Sequence, residues 1–166
     1  MRNTLIAAAA VVGLVAAVPA IAHHAGEISQ AGDIRVSHAW TEETSAMAHA
    51  VDVYLTVENT GEVADRLVGA NTGFTEPGVF QASVIGTDGA VAVREVPAVT
   101  IEPGQSITFQ PGGIHIVLND VQQALMAGDH FDMTLEFETA GTLAVEVEIE
   151  EPHGEDHDHD HGDAAG

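Results

Sequence analysis

Cysteine and lysine are both missing from this 166-residue chain, and its only basic side chains besides histidine are four arginines. Without a thiol there are no disulfide staples, thiolate zinc sites, iron–sulfur clusters, blue-copper sites or cysteine nucleophiles. Any metal must therefore sit on His, Met, Asp or Glu. Against four arginines stand 26 acidic residues, for a formal charge of −22. That balance excludes nucleic acid and anionic membrane surfaces as partners, because both demand a positive face to release phosphate counterions. Aromatics are scarce, with one Trp and one Tyr. Long hydrophobic runs are confined to the start of the chain. Nucleophile elbow, phosphate-cradling glycine loop and HExxH helix are all absent, and no catalytic triad spacing is legible, so the chain is not read as an enzyme.

Arg2 and Asn3 open a short cationic start, Leu5 to Val18 is a continuous Ala/Val/Leu run, and Ala20-Ile21-Ala22 offers small residues to a signal peptidase. Residues 1–22 are thus expected to be a signal peptide cleaved after Ala22, since an apolar run of about fourteen residues is shorter than the ~20 a bilayer span requires. Export to the periplasm follows. Loss of Arg2 leaves three arginines against 26 acids, or −23 for the mature chain.

After an N-terminal segment over 23–32, residues 33–150 read as one domain of short strands separated by turns. Val51, Val53, Leu55 and Val57 alternate with Asp52, Tyr54, Thr56 and Glu58, the period of a half-buried strand. Phe131 to Phe137 and Leu143 to Ile149 repeat the alternation around Gly141, predicting a hairpin with one oily and one acidic face. Further strands are expected at Arg66 to Asn71, Val79 to Ile85, Val91 to Val93, Gln105 to Gln110 and His115 to Leu118, with a helical turn over Val121 to Ala127. Seven or more short strands favour an all-β sandwich, immunoglobulin-like or cupredoxin-like. A long acidic edge would resist strand-to-strand association, which points to a monomer.

Residues 151–166 change character. Four histidines (His153, His157, His159, His161) and five acids fall within residues 153–163, with no apolar side chain to bury. This is expected to be a disordered tail able to wrap several imidazoles around one cation, with Zn²⁺, Cu²⁺ or Ni²⁺ fitting the donors better than Cu⁺. A plain solvated acidic tail is the alternative reading. Cleavage after Ala22 would also place a free α-amine on His23 beside His24, a square-planar donor set for Cu²⁺. Met47 and His49, at alternate positions, form a further candidate pair. His38, His130, Met126 and Met133 read as surface or packing residues, with Met126 packing a helix and Met133 a strand core.

Several segments together resemble the periplasmic copper chaperone family of the PCuAC type: Trp40, Val53-Tyr54-Leu55 with Glu58-Asn59-Thr60-Gly61, Asp65-Arg66-Leu67-Val68-Gly69-Ala70, Ile101-Glu102-Pro103-Gly104 and Pro111-Gly112-Gly113-Ile114-His115-Ile116-Val117-Leu118. Gly128-Asp129 leading into Thr134-Leu135-Glu136-Phe137 completes the series, which covers roughly Ile34 to Ile149. The resemblance implies a cupredoxin-like fold and handling of Cu⁺ for oxidase assembly. The family's two-His, two-Met copper ligands, laid on this chain, fall on Ala82, Val93, His115 and Val117, of which only His115 can donate. The copper-binding motif is degenerate on this alignment.

The expectation is a periplasmic copper-binding protein, a chaperone or buffer working by ligand exchange, with capture by His153, His157, His159 and His161 and with His115, His23, His24, His49 and Met47 as further ligands. Copper, as Cu(II) or Cu(I), is the cargo, and a copper-accepting membrane or periplasmic protein is the partner. Two alternatives stay open: a zinc-binding protein using the same imidazole and carboxylate donors, and a partner-binding module that has lost the family's Cu(I) pocket.

Overall fold

The computed structural model describes residues 28–45, 48–87 and 89–152. Eleven strands follow one another: β1 (Ser29–Ala31), β2 (Ile34–Glu42), β3 (Ala50–Asn59), β4 (Asp65–Asn71), β5 (Val79–Ile85), β6 (Val91–Val96), β7 (Val99–Ile101), β8 (Ser106–Phe109), β9 (Ile114–Asn119), β10 (His130–Phe137) and β11 (Gly141–Glu150). They form one curled sheet in the order β6-β5-β9-β3-β2-β11-β10-β4-β7, with β1 added to β2 and β8 to β3. The all-β expectation holds.

Alternation explains the core. Val51, Val53, Leu55 and Val57 of β3 are buried, and Phe131, Met133, Leu135 and Phe137 of β10 stand beside Leu143, Val145, Val147 and Ile149 of its neighbour β11 on one inward face. Each apolar side chain removed from water contributes on the order of 1.5–3 kcal/mol, which makes a one-residue slip of any of these strands costly. Strand β2 needs a correction to stay in phase. Ser37 pairs with Thr56 and Trp40 with Tyr54, so three steps on β2 match two on β3. His38 takes up the surplus with φ of 52°, the left-handed region that histidine tolerates better than most residues. The bulge keeps Ile34, Val36, Ala39 and Thr41 all inward.

Three local expectations differ from the structure. Val121–Ala127 forms no helical turn: Val121 and Leu125 are both buried, and the Leu125 carbonyl accepts from the Thr44 N–H at 2.9 Å. Core burial and that bridge claim a backbone that a helical turn would have bonded to itself. Met126 consequently faces solvent at 65% exposure, with no helix to pack, while Met133 sits in the core. The ordered sandwich also starts at Ser29, because β1 pairs with β2 through Ala31↔Ile34, ahead of the expected boundary at residue 33. Finally, the sheet path ends in β6 and β7, neither of them a long acidic edge, and the acidic face of β10–β11 lies between β4 and β2.

Asp65 ties the turn after β10 to β4. Its buried carboxylate accepts the N–H groups of Arg66 (2.7 Å), Thr139 (2.9 Å) and Ala140 (2.9 Å). Burial alone would raise its pKa, but the donors on Thr139, Ala140 and Arg66 outweigh it and hold the carboxyl below its usual 3.8. A depressed folded-state pKa contributes stability that is complete above the unfolded pKa and lost as pH falls through the folded value. Asp65→Asn should therefore lower unfolding free energy by about 2–4 kcal/mol at pH 7, with the deficit shrinking below pH 4. Urea denaturation at pH 7, 5 and 3 checks this, and an equal deficit at all three would contradict it.

Candidate metal-handling face

The outer face of the sheet carries an aromatic row built by the β2 bulge. With His38 absorbing the extra residue, Trp40 lands opposite Tyr54, ring centroids 4.6 Å apart. On its other side Tyr54 meets His115, at 6.5 Å between centroids. The His38 ring stands 6.3 Å from Trp40, exposed to solvent. Sequence alternation alone puts Tyr54 on a polar face, yet Trp40 and His115 cover it so well that it is only 8% exposed. No pattern in the sequence announces this row, because it depends on a bulge.

His115 is the second residue of β9. The Pro111-Gly112-Gly113 turn delivers it there, with Gly112 at φ 73° and the loop between β8 and β9 closed by Gln110 N–H to the Ile114 carbonyl at 2.8 Å. The His115 Nδ1 lies 3.2 Å from the Gly113 carbonyl. Since that carbonyl can only accept, Nδ1 carries the proton and Nε2 keeps its lone pair. An imidazole held by a backbone carbonyl in this way is oriented to ligate through Nε2.

Ladder pairing divides the four aligned positions between two faces of the sheet. Paired residues share a face, and the partner of His115 on β5 is Gln81, whereas Ala82 pairs with Ile114 and Arg94 on the other face. Val93 pairs with Ser83, and Val117 with Val79, on the His115 face. Among the described residues, the ladder neighbours of His115 on β5 and β6 that share its face thus offer an amide and a hydroxyl but no sulfur and no imidazole.

One step along the strands lies a second outer row. Asp52 on β3, Glu42 on β2 and Glu150 on β11 follow from the pairings Thr41↔Val53 and Glu42↔Glu150. Glu42, Glu43, Thr44, Ala50, Val51, Asp52 and Tyr54 line a cleft of about 180 Å³ there. The Tyr54 hydroxyl donates to Asp52 Oδ2 at 3.4 Å. Burial, followed by the charges of Asp52 and Glu42, pushes the Tyr54 pKa up to about 12, so at neutral pH this phenol is not an anionic ligand. Strand β11 ends at this cleft, where the Glu43 N–H donates to the Glu150 carbonyl at 2.9 Å.

Two of the expected ligands, His115 and His49, lie among the described residues. His23, His24, Met47, His153, His157, His159 and His161 lie outside them. His49 is exposed just before β3, its carbonyl accepting from Asp120 N–H at 2.8 Å. From Ala50↔Asn119 to the level of His115 the ladder advances four positions, so His49 stands some five positions from His115, about 17 Å at ~3.4 Å each. The sandwich does not bring these two histidines to one ion. His130 leans on Glu146 at 3.7 Å, a single exposed pair. Among the described residues no three His, Asp or Glu side chains gather closely enough to hold a metal.

The family model described as "Putative lipoprotein LpqE-like" matches residues 34–149. The "Putative lipoprotein Lxx21020" of Leifsonia xyli subsp. xyli is 29% identical over 150 residues, 89% of this chain and 87% of that protein. Among solved structures, the apo PCuAC domain from PmoF1 superposes with a TM-score of 0.66 at 26% identity, covering 76% of this chain and 100% of that domain. The copper-bound PCuAC domain from PmoF2 gives 0.66 at 25% identity over 76% of this chain and 99% of its own. At the level of fold alone, CuI-DR1885 from Deinococcus radiodurans matches at 0.57 and 23% identity, covering 69% of this chain and 76% of that one. These neighbours bear out the cupredoxin-like sandwich.

Because the chain holds a single Tyr, its titration is read directly. Absorbance at 295 nm should show no phenolate until pH approaches 12, and Asp52→Asn should move the midpoint down toward 10. A wild-type midpoint at the ordinary value would mean that Tyr54 is not covered as described.

Proposed function

Since the chain belongs to the LpqE-like lipoprotein family and its sandwich is similar to PCuAC domains, we propose that it is an exported, envelope-associated copper-binding protein that takes up and passes on its cargo without catalysis. The similarity to a copper-bound PCuAC domain at 25% identity supports copper as the cargo. Cysteine is absent from all 166 residues, so an acyl chain linked through that side chain has no acceptor atom in this sequence. The leader-like segment over 1–22 supports periplasmic export instead.

One observation carries the site assignment. Of the four aligned positions His115 carries the imidazole, and with its Nδ1 turned to the Gly113 carbonyl at 3.2 Å, Nε2 is the ring nitrogen left to ligate. Its face neighbours Gln81, Ser83, Val93 and Val117 offer no soft donor, so the two-Met pocket suited to Cu⁺ is not rebuilt around it. Capture accordingly falls to the histidines of residues 153–161, which continue from β11. That strand ends beside Glu42 and Glu43, where the carboxylates of the cleft concentrate cations. Seven residues separate Glu150 from His157, a reach of at most about 24 Å. Three strand spacings from β11 to β9 amount to about 14 Å. Tail imidazoles can thus share an ion with His115, and ligand exchange between them is the mechanism. His49, at the same end of the sheet as the cleft, is a second docking point for the ion, with Met47 two residues before it. His23 and His24 supply the same chemistry if cleavage follows Ala22.

A preference for imidazole and carboxylate over sulfur shifts the cargo from Cu⁺ toward Cu²⁺. Zn²⁺ accepts the same donors, and the recipient would be a copper- or zinc-accepting envelope protein. Conversion of the old pocket into an aliphatic face also favours the second reading, a partner-binding module with an appended metal buffer.

Competitive titration with Cu⁺, Cu²⁺ and Zn²⁺ separates these readings when the chain starting at His23 is run beside one that ends at Glu151. Loss of divalent binding on truncation is expected, with Cu⁺ held weakly by both. Since imidazole ligates only when neutral, affinity of the full chain should fall steeply between pH 7.5 and 5.5. Tight Cu⁺ binding by the shortened chain, or affinity flat across that range, would overturn the assignment.

A further inference from the structure

The expectation of a monomer rested on an acidic strand edge, and the edge is not acidic. Among the described residues, strand β6 pairs with β5 alone. Its first five residues, Val91 to Glu95, are exposed, with no proline among them. Natural sheets normally blunt such an edge with charge, proline or a bulge, because its open N–H and C=O groups template a further strand. Here the face beside the edge is apolar: Ile85 is 78% exposed, Val91 68% and Val93 56%. Ile85 pairs with Val91, and Ser83 with Val93, so these side chains share one face of the hairpin.

The hairpin is also close to neutral. Residues 79–96 contain two of the 26 acids, Asp88 and Glu95, and one of the four arginines, Arg94, for a net charge of −1. In a chain of net charge −22 two copies meet little repulsion along this hairpin.

We propose that β6 pairs antiparallel with β6 of a second copy about a two-fold axis perpendicular to the sheet, making an isologous dimer. The register follows from the side chains. Centring on Arg94 would oppose two guanidiniums, and centring on Val93 would set Val91 against Glu95 of the second copy. Centring on Ala92 places Val91 of each copy opposite Val93 of the other, which continues the apolar row through Ile85 on both sides. Val93 is the position where the resembled chaperones carry a methionine ligand, so an aliphatic contact stands in place of a metal donor. The two His115 side chains then lie on one continuous face, five strand spacings (about 24 Å) apart across the sheet and about 20 Å apart along it, since His115 is level with Glu95 through Gln81, or roughly 31 Å in all.

Sedimentation equilibrium of the full mature chain from 10 µM to 1 mM, in 50 and 500 mM NaCl, tests this. Dimer is expected, with an apparent Kd at least about fivefold lower at the higher salt as repulsion between like-charged copies is screened. Val93→Asp and Val91→Asp should abolish it at both salts. Val63→Asp adds the same charge at a site 72% exposed and remote from the edge and should leave it intact. All three positions face solvent, so circular dichroism should report unchanged folding. Monomer throughout at 1 mM in 500 mM NaCl, or a dimer that Val93→Asp weakens no more than Val63→Asp does, would overturn the proposal. A heterologous partner on this edge would leave the isolated protein monomeric and so counts against it.

Discussion

Strand β3 is hydrogen-bonded to β2, β8 and β9, and burial of its Val51, Val53, Leu55 and Val57 decides what the opposite face can present. With those four locked inward, Asp52 and Tyr54 must point outward, and every neighbour has to fit its own register to them. Strand β2 does so at the expense of a bulge. The left-handed backbone at His38 restores inward burial for Ala39 and Thr41 and brings Trp40 over Tyr54. On the other flank the tight turn before β9 sets His115 against the same phenol. The aromatic row is therefore a consequence of core packing rather than a separate device.

That row and the acidic row beside it divide the outer face into two chemistries. Around Tyr54 the surface is aromatic, and burial together with the neighbouring carboxylates of Asp52 and Glu42 keeps the phenol protonated. Around Glu42, Glu43 and Asp52 it is a cation-attracting cleft from which the histidine-rich end of the chain departs. Among the described residues no closed three- or four-donor site stands beside the oriented imidazole, and the open arrangement is the one that the proposed exchange of a cation between ligands requires.

Much of the fold was legible in the sequence, because strands of seven to ten residues with period-two alternation advertise which side chains are buried. The parts that were not legible share physical causes. Strands β1 and β7 have three residues each, too short for a period to register. Val121–Ala127 has spacing compatible with a helix, but Leu125 is claimed by the core and by Thr44. Edge and interior cannot be told apart from composition, so a long acidic edge is expected where the sheet path in fact ends in β6 and β7 and the acidic β10–β11 hairpin has β4 and β2 on its two sides. At the candidate site, counting along the chain from His115 reaches Ala82, while the ladder brings Gln81 to it. A one-residue difference on a strand exchanges faces, and only pairing reveals it.

Imidazole ¹⁵N NMR of the mature chain during Zn²⁺ addition tests the central claim most directly, with Zn²⁺ as the diamagnetic stand-in for Cu²⁺. The account predicts that His157, His159 and His161 shift with the first equivalent, that His115 responds at Nε2 while Nδ1 keeps its proton, and that His38 and His130 stay unmoved. Metal-induced shifts confined to His38, His49 or His130, with His115 and the tail unchanged, would contradict it.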